Sequence, residues 1–167
     1  MVKTLRVKIL TVSDSAAEGR REDLSGRAVR HLAEKQGWDV LASEVAPDEV
    51  EAVQRHLRAW LKNADVDLIL TTGGTGLGPR DITPEATRPL LEREIPGLSE
   101  MIRAEGSKKT KRAVLSRGLA GVCGQTMILN LPGSPQGARE SLECALDLLP
   151  HVVDLLQGRT GHPESSG

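Results

Sequence analysis

The sequence predicts an α/β domain of three layers: a mainly parallel sheet with helices on both faces. Two observations predict it. Short apolar runs alternate with longer amphipathic stretches along most of the chain, which is the order of βαβ units. One of these runs, Leu68-Ile69-Leu70, leads directly into a glycine-rich loop and a helix start, as suits a buried parallel strand. The core must be aliphatic, because the chain has no Phe, no Tyr and only Trp38 and Trp60 as aromatics. A length of 167 residues suits one domain with a single core.

The elements follow in order. Residues 5–13 read as a first strand. Residues 25–36 read as a helix, with Val29, Leu32 and Ala33 on one face and Gly37 as its stop. Residues 38–45 form a second strand. Residues 48–62 form a helix with Val50, Val53, Leu57, Trp60 and Leu61 at helical spacing. Residues 67–72 are the third strand. Residues 84–92 and 98–105 read as helices separated by Pro96-Gly97. Residues 113–116 and 126–131 read as strands, with a turn region around Gly118, Gly121 and Gly124 between them. Residues 135–149 form a long amphipathic helix that continues past Pro150 towards Leu156. Residues 1–158 make up the domain, and 159–167 a polar tail.

The loop after the third strand carries the chemistry. Gly73, Gly74, Gly76 and Gly78 permit positive φ and leave backbone N–H groups free to form an anion-binding nest. Thr83 is placed to cap the next helix, with Pro84 at its first position. Asp81 adds a carboxylate able to hold a metal beside a bound phosphate. No Gly-Lys-Ser/Thr follows, so this is not a Walker A loop. Pro79 stands where a dinucleotide fingerprint has its third glycine. The plainer alternative is a tight turn that needs glycine only for its geometry.

Ligands of open α/β sheets bind beyond the C-terminal ends of the parallel strands. Ser13-Asp14, the 73–81 loop and Pro132-Gly133-Ser134 all fall there, and Asp48 follows the second strand. Each has a second reading. Asp48 is also a natural helix cap. Ser134-Pro135 is also a cap followed by a first-turn proline, though Gly133 and that helix start offer N–H donors to an anion. Ser13 and Asp14 also suit a turn.

Several function classes are excluded. A formal net charge of −1 and the lack of aromatics argue against nucleic acid. Lys108, Lys109, Lys111 and Arg112 cluster, but read as a solvated charged loop. Cys123 and Cys144 lack metal or redox spacing and read as small buried residues. No signal-peptide pattern or membrane-length segment occurs, which predicts a cytoplasmic protein without a membrane partner. The histidines fall in helices or the tail, and no Gly-x-Ser-x-Gly elbow is present.

Gly73-Gly74-Thr75-Gly76, Asp81 and Thr83-Pro84 together resemble the MogA/MoaB family of molybdenum cofactor biosynthesis. Thr11-Val12-Ser13-Asp14, Pro47-Asp48-Glu49, Ser116-Arg117 and Leu129-Asn130-Leu131-Pro132-Gly133-Ser134-Pro135 extend the resemblance from Leu5 to about Gly158. It implies a molybdopterin-binding domain that transfers AMP from Mg-ATP to the terminal phosphate of molybdopterin and releases pyrophosphate. It makes Asp48 and Asp81 the catalytic and metal-holding carboxylates. Ser13, Asp14, Gly73, Gly74, Thr75, Gly76, Ser116, Pro132, Gly133 and Ser134 become contacts to molybdopterin or ATP. It also implies a homotrimer or dimer of trimers, with a MoeA-type molybdate-inserting protein as a partner. Two alternatives stand beside it: a MoaB-type binding protein with little catalysis, and a CinA-like nucleotide pyrophosphatase. The shorter chain and the Arg80-Asp81-Ile82-Thr83-Pro84 run fit CinA less well.

Overall fold

A six-stranded sheet with strand order β2-β1-β3-β6-β5-β4 forms the middle layer. The computed structural model describes residues 4–159 and residue 161. Most of the polar tail expected at 159–167 therefore lies outside the described residues. Strands β1 (Arg6–Val12), β2 (Asp39–Ala46), β3 (Leu68–Thr72) and β6 (Thr126–Leu131) run parallel. Strands β4 (Arg93–Glu94) and β5 (Ala120–Cys123) complete one edge, with β5 antiparallel to both β4 and β6. The mainly parallel α/β prediction holds.

The strands β3 and β6 are buried along their whole length, which is why they read as unbroken apolar runs. The strand period of two divides the core. Val7, Ile9, Leu68, Leu70, Met127 and Leu129 face a layer holding Val29 and Leu32 of α2 (Leu24–Lys35) and Leu142 of α6 (Pro135–Ala145). Leu10, Val12, Ile69 and Ile128 face the opposite layer, where Val53, Leu57 and Trp60 of α3 (Val50–Lys62) pack. Short helix α1 (Asp14–Ala17) follows β1 directly, and α5 (Pro96–Ser107) and α7 (Leu149–Leu156) join the first layer through Leu98 and Val153.

Several expectations fail, each for a local reason. The 84–92 helix is α4 (Thr83–Thr87) followed by a single 3-10 turn, Arg88–Leu90. Pro89 has no N–H for the carbonyl of Glu85. The long C-terminal helix stops at Ala145 and restarts as α7, with Pro150 in the new first turn. The segment 113–116 is no strand: Lys111–Leu115 is a 3-10 turn. The glycine-rich stretch instead contains β5. A side chain at Gly121 would come within 2.7 Å of the Arg93 carbonyl oxygen, so close strand packing, not a turn, requires glycine there. Cys123 and Cys144 are unpaired and half-buried rather than buried.

Candidate active site

Strand order reverses between β1 and β3: the chain leaves β1 for β2 on one side and reaches β6 beyond β3 on the other. Such a reversal opens a crevice at the C-terminal strand ends. The loops after β1, β3 and β6 converge there on Gly73. Its φ is +99°, and a side chain would meet the Val12 carbonyl oxygen at 2.3 Å. From the β6 side, a Cβ on Gly133 would lie 3.2 Å from the Gly73 Cα.

The glycine loop is held by polar groups to which the sequence reading had given no such role. Thr83 Oγ1 donates to the Gly73 carbonyl at 2.8 Å, and its N–H to that of Gly74 at 3.0 Å. Thr83 is thus inside the first turn of α4 rather than its cap, which falls to Ile82 without a side-chain bond. Thr72 Oγ1 donates to the Pro132 carbonyl at 2.7 Å. Asn130 bonds Thr71 and Thr87 through its amide nitrogen and receives the Leu119 N–H. On the outer side, Arg117 donates to the carbonyls of Gly76 (2.8 Å) and Asp81 (2.9 Å), and pairs with Glu85. The Arg117 guanidinium holds the Glu85 carboxyl below its usual range. For Thr71, Thr72 and Thr87 the only advance signal was polarity beside apolar segments; Thr83, Arg117 and Asn130 had stood in the recognised motifs without these roles.

Held this way, the loop leaves its amides unpaired. The N–H groups of Gly74, Thr75 and Gly76 donate to no acceptor among the described residues. These residues and Asp81 line a cleft of about 840 Å³. Ser116, Pro132, Gly133 and Ser134 line it too. Ser116 Oγ donates to Thr75 Oγ1 at 3.4 Å, and Ser134 Oγ caps α6 by accepting the Gly137 N–H at 3.0 Å. The far wall contains Met101 and Ile102, and Lys109 and Arg112 stand on it. Two members of the basic cluster, Lys109 and Arg112, therefore line the cleft, with Lys109 paired to Glu140 at 3.1 Å.

Ser13, Asp14 and Asp48 stand on the other side of the loop and do not line that cleft. Ser13 caps α1 by accepting the Ala16 N–H at 3.3 Å. Asp48 is not the cap of α3; Glu49 holds that position with no side-chain bond. Instead, Asp48 Oδ2 accepts the Asp14 N–H at 2.8 Å, while Asp14 Oδ1 accepts the Asp48 N–H at 2.9 Å. Arg80 grips Asp14 at both oxygens, at 2.8 and 2.9 Å. Arg80 and then the Asp48 N–H depress the Asp14 carboxyl below its ordinary range. Burial pushes the Asp48 carboxyl above its range, and the Asp14 and Asp81 charges add to this.

Asp48 and Asp81 flank the loop, each with one oxygen spoken for. Asp81 Oδ2 accepts the Gly78 N–H at 2.7 Å. The Oδ1 atoms of both residues make no hydrogen bond among the described residues. The Asp48 Oδ1 lies 3.4 Å from the Cβ position of Gly74, and the Asp81 Oδ1 lies 3.9 Å from that of Gly76. This donor set fits a magnesium ion, which takes hard oxygen ligands from one or two carboxylates and completes its shell with phosphate and water. Among the described residues no cluster of three or more His, Cys, Asp or Glu could cage a metal.

The family model described as the probable molybdopterin binding domain matches residues 8–151. The molybdopterin adenylyltransferase of Helicobacter pylori strain J99 is 37% identical over 159 residues, which is 94% of this chain and 90% of that protein. The molybdenum cofactor synthesis protein cinnamon of Drosophila melanogaster is 44% identical over 156 residues, 93% of this chain. The match spans only 26% of that longer relative. The crystal structure of the molybdopterin biosynthesis enzyme MoaB from Thermus thermophilus superposes with a TM-score of 0.87 at 54% identity, covering 93% of this chain and 98% of that one. The chain belongs to the MogA/MoaB family of molybdenum cofactor biosynthesis.

Proposed function

We propose that this member of the family is a molybdopterin adenylyltransferase. A terminal phosphate oxygen of molybdopterin attacks the α-phosphorus of ATP. The α–β bridging bond breaks, AMP is transferred and pyrophosphate leaves. The observation that carries the reading is the row of unpaired loop amides, Gly74 to Gly76, between two carboxylates that each keep a free oxygen. Amides fixed by Thr83 and Arg117 hold phosphate oxygens without reorganising as charge moves. The free N–H groups of Gly133 and the α6 start add donors beside the loop. Asp48 and Asp81 would hold Mg²⁺, whose contribution is to neutralise the phosphates and orient them in line.

The similarity to Thermus MoaB supports a second reading, a molybdopterin-binding protein with little catalysis. One incubation separates the two. Purified protein with molybdopterin and Mg-ATP should yield adenylylated molybdopterin and pyrophosphate. Tight molybdopterin binding without pyrophosphate release would establish the binding protein instead. Assembly into a trimer or a pair of trimers, and delivery to a MoeA-type protein, belong to the same reading. Light scattering that gives a monomer or plain dimer at micromolar concentration would remove the first of these.

A further inference from the structure

Asp14 holds no phosphate or metal in the scheme above, yet its carboxylate is more fully engaged than those of Asp48 and Asp81. We propose that Asp14 is a positioning residue: clamped by Arg80, it holds Asp48 so that its free carboxylate oxygen faces the glycine loop. The inference rests on the adenylyl-transfer reading of the site.

The geometry ties three loops through one side chain. Asp14 begins α1 after β1, Asp48 follows β2, and Arg80 comes from the loop after β3. The backbones of the first two are already joined by the Ser13 N–H donating to the Ala46 carbonyl at 2.9 Å. Beyond that point, the two reciprocal carboxylate–amide bonds fix both ends of Asp48: its N–H by Asp14 Oδ1, and its Oδ2 by the Asp14 N–H. With backbone and one oxygen fixed, the remaining oxygen has one orientation, towards Gly74. Asp14 is a poor metal ligand in its own right, because Oδ2 carries the Arg80 Nε–H and Oδ1 carries two donors. Arg80 sets the rotamer of Asp14 through a two-point contact that a lysine cannot reproduce. Partners of this kind commonly govern how well a carboxylate ligates.

The test compares the full chain with Asp14→Asn and Asp14→Ala. Mn²⁺–ATP affinity is read by water-proton relaxation, and AMP transfer as a function of Mg²⁺ concentration. Asn keeps an oxygen to accept the Asp48 N–H; Ala keeps only the backbone N–H that donates to Asp48 Oδ2 and loses both the Asp48 N–H bond and the Arg80 contact. Asp14→Ala should bind Mn²⁺–ATP about tenfold more weakly, the scale for losing a partner behind a metal ligand. Its Mg²⁺ requirement should rise in parallel. Asp14→Asn should recover most of the affinity. Wild-type affinity in Asp14→Ala overturns the proposal, and so do equal losses in both variants, which would place the effect in charge alone. If Asp14→Ala does not fold, Arg80→Lys replaces it: a several-fold weaker affinity is expected, and an unchanged one overturns the proposal. Wild-type protein that binds Mn²⁺–ATP yet transfers no AMP would sink the adenylyl-transfer reading, while the affinity series still decides for Asp14.

Discussion

At the N-terminal end of the parallel strands, Asp67 accepts the Arg6 backbone N–H at 2.8 Å, its guanidinium at 2.9 and 3.2 Å, and the Gln157 amide at 2.8 Å. Its side chain is only 1% exposed. At the C-terminal end, Asp48 and Asp81 each accept one backbone N–H and keep an oxygen free. The same residue type thus serves opposite ends differently. A carboxylate saturated by its own chain locks β1, β3 and the end of α7 together. One left half-saturated keeps bonding capacity that the rest of the chain does not meet. The contrast matters because burial alone would mark Asp67 as the more unusual group, whereas unmet bonding capacity marks the pair at the other end.

The contrast is open to direct attack. Asp81→Asn should reduce Mg-dependent AMP transfer a few hundredfold, a loss of about 3–4 kcal/mol of transition-state stabilisation. The amide oxygen still accepts the Gly78 N–H, so thermal melting should scarcely move. Wild-type turnover in this variant would take Asp81 out of the mechanism. Asp48→Asn should also abolish most transfer, but with a melting temperature equal to or above that of the wild type. Burial raises the Asp48 carboxyl's pKa, so its charged form costs stability at neutral pH, and Asn removes that charge. A clear drop in melting temperature would show that Asp48 is structural, as Asp67 is.

Asp67→Ala should behave in the reverse sense. Denaturant unfolding should show a loss of about 2–3 kcal/mol, below the range for a fully buried pair because Arg6 keeps solvent contact. AMP transfer at 25 °C should be unaffected. Reduced transfer with intact stability would erase the distinction between the two ends. The smallest effect concerns Glu85, whose pKa is depressed by Arg117. A depressed carboxyl stabilises the fold above its unfolded value, about 4.3, and that contribution fades as pH falls through the lower folded value. Glu85→Gln should therefore melt slightly earlier at neutral pH and match the wild type in strong acid, as scanned calorimetrically across that window. A gap that widened on acidification would contradict the Arg117–Glu85 contact as the cause.

Much of this frame was legible in the residues. The runs that became β1, β3 and β6 are apolar because both faces of the central sheet are covered, and α2 and α3 showed their buried faces in helical periodicity. The glycine loop announced the positive φ of Gly73 and Gly74 and its unpaired amides; Gly76 and Gly78 have no positive φ, and are glycine because a side chain there would strike the Asp81 carboxylate at 2.7 and 2.9 Å. By contrast, β4 and β5 were invisible. A strand of two residues and one of four that includes a glycine carry no periodic signal, and exist only because the β4, β5 and β6 backbones lie alongside one another. Thr83, read as the cap of α4, lies inside its first turn, and of the two readings of Asp48 the structure removes the cap. A capping residue and a cleft residue share the same chemistry and the same strand-to-helix junction, so local sequence cannot separate them.

By itself, the sequence determined the alternation of strand and helix, the aliphatic core and the glycine loop, because each depends on neighbours a few residues away. Which groups would be left unpaired depended on tertiary structure alone. Arg80 reaches Asp14 across 66 residues, Arg117 reaches Gly76 across 41, and Gln157 reaches Asp67 across 90. A hydrogen-bond partner is chosen by distance in space, and only the folded sheet brings these groups within reach. Whether a carboxylate is saturated or left open is settled by that choice, and so is the difference between the two ends of the sheet.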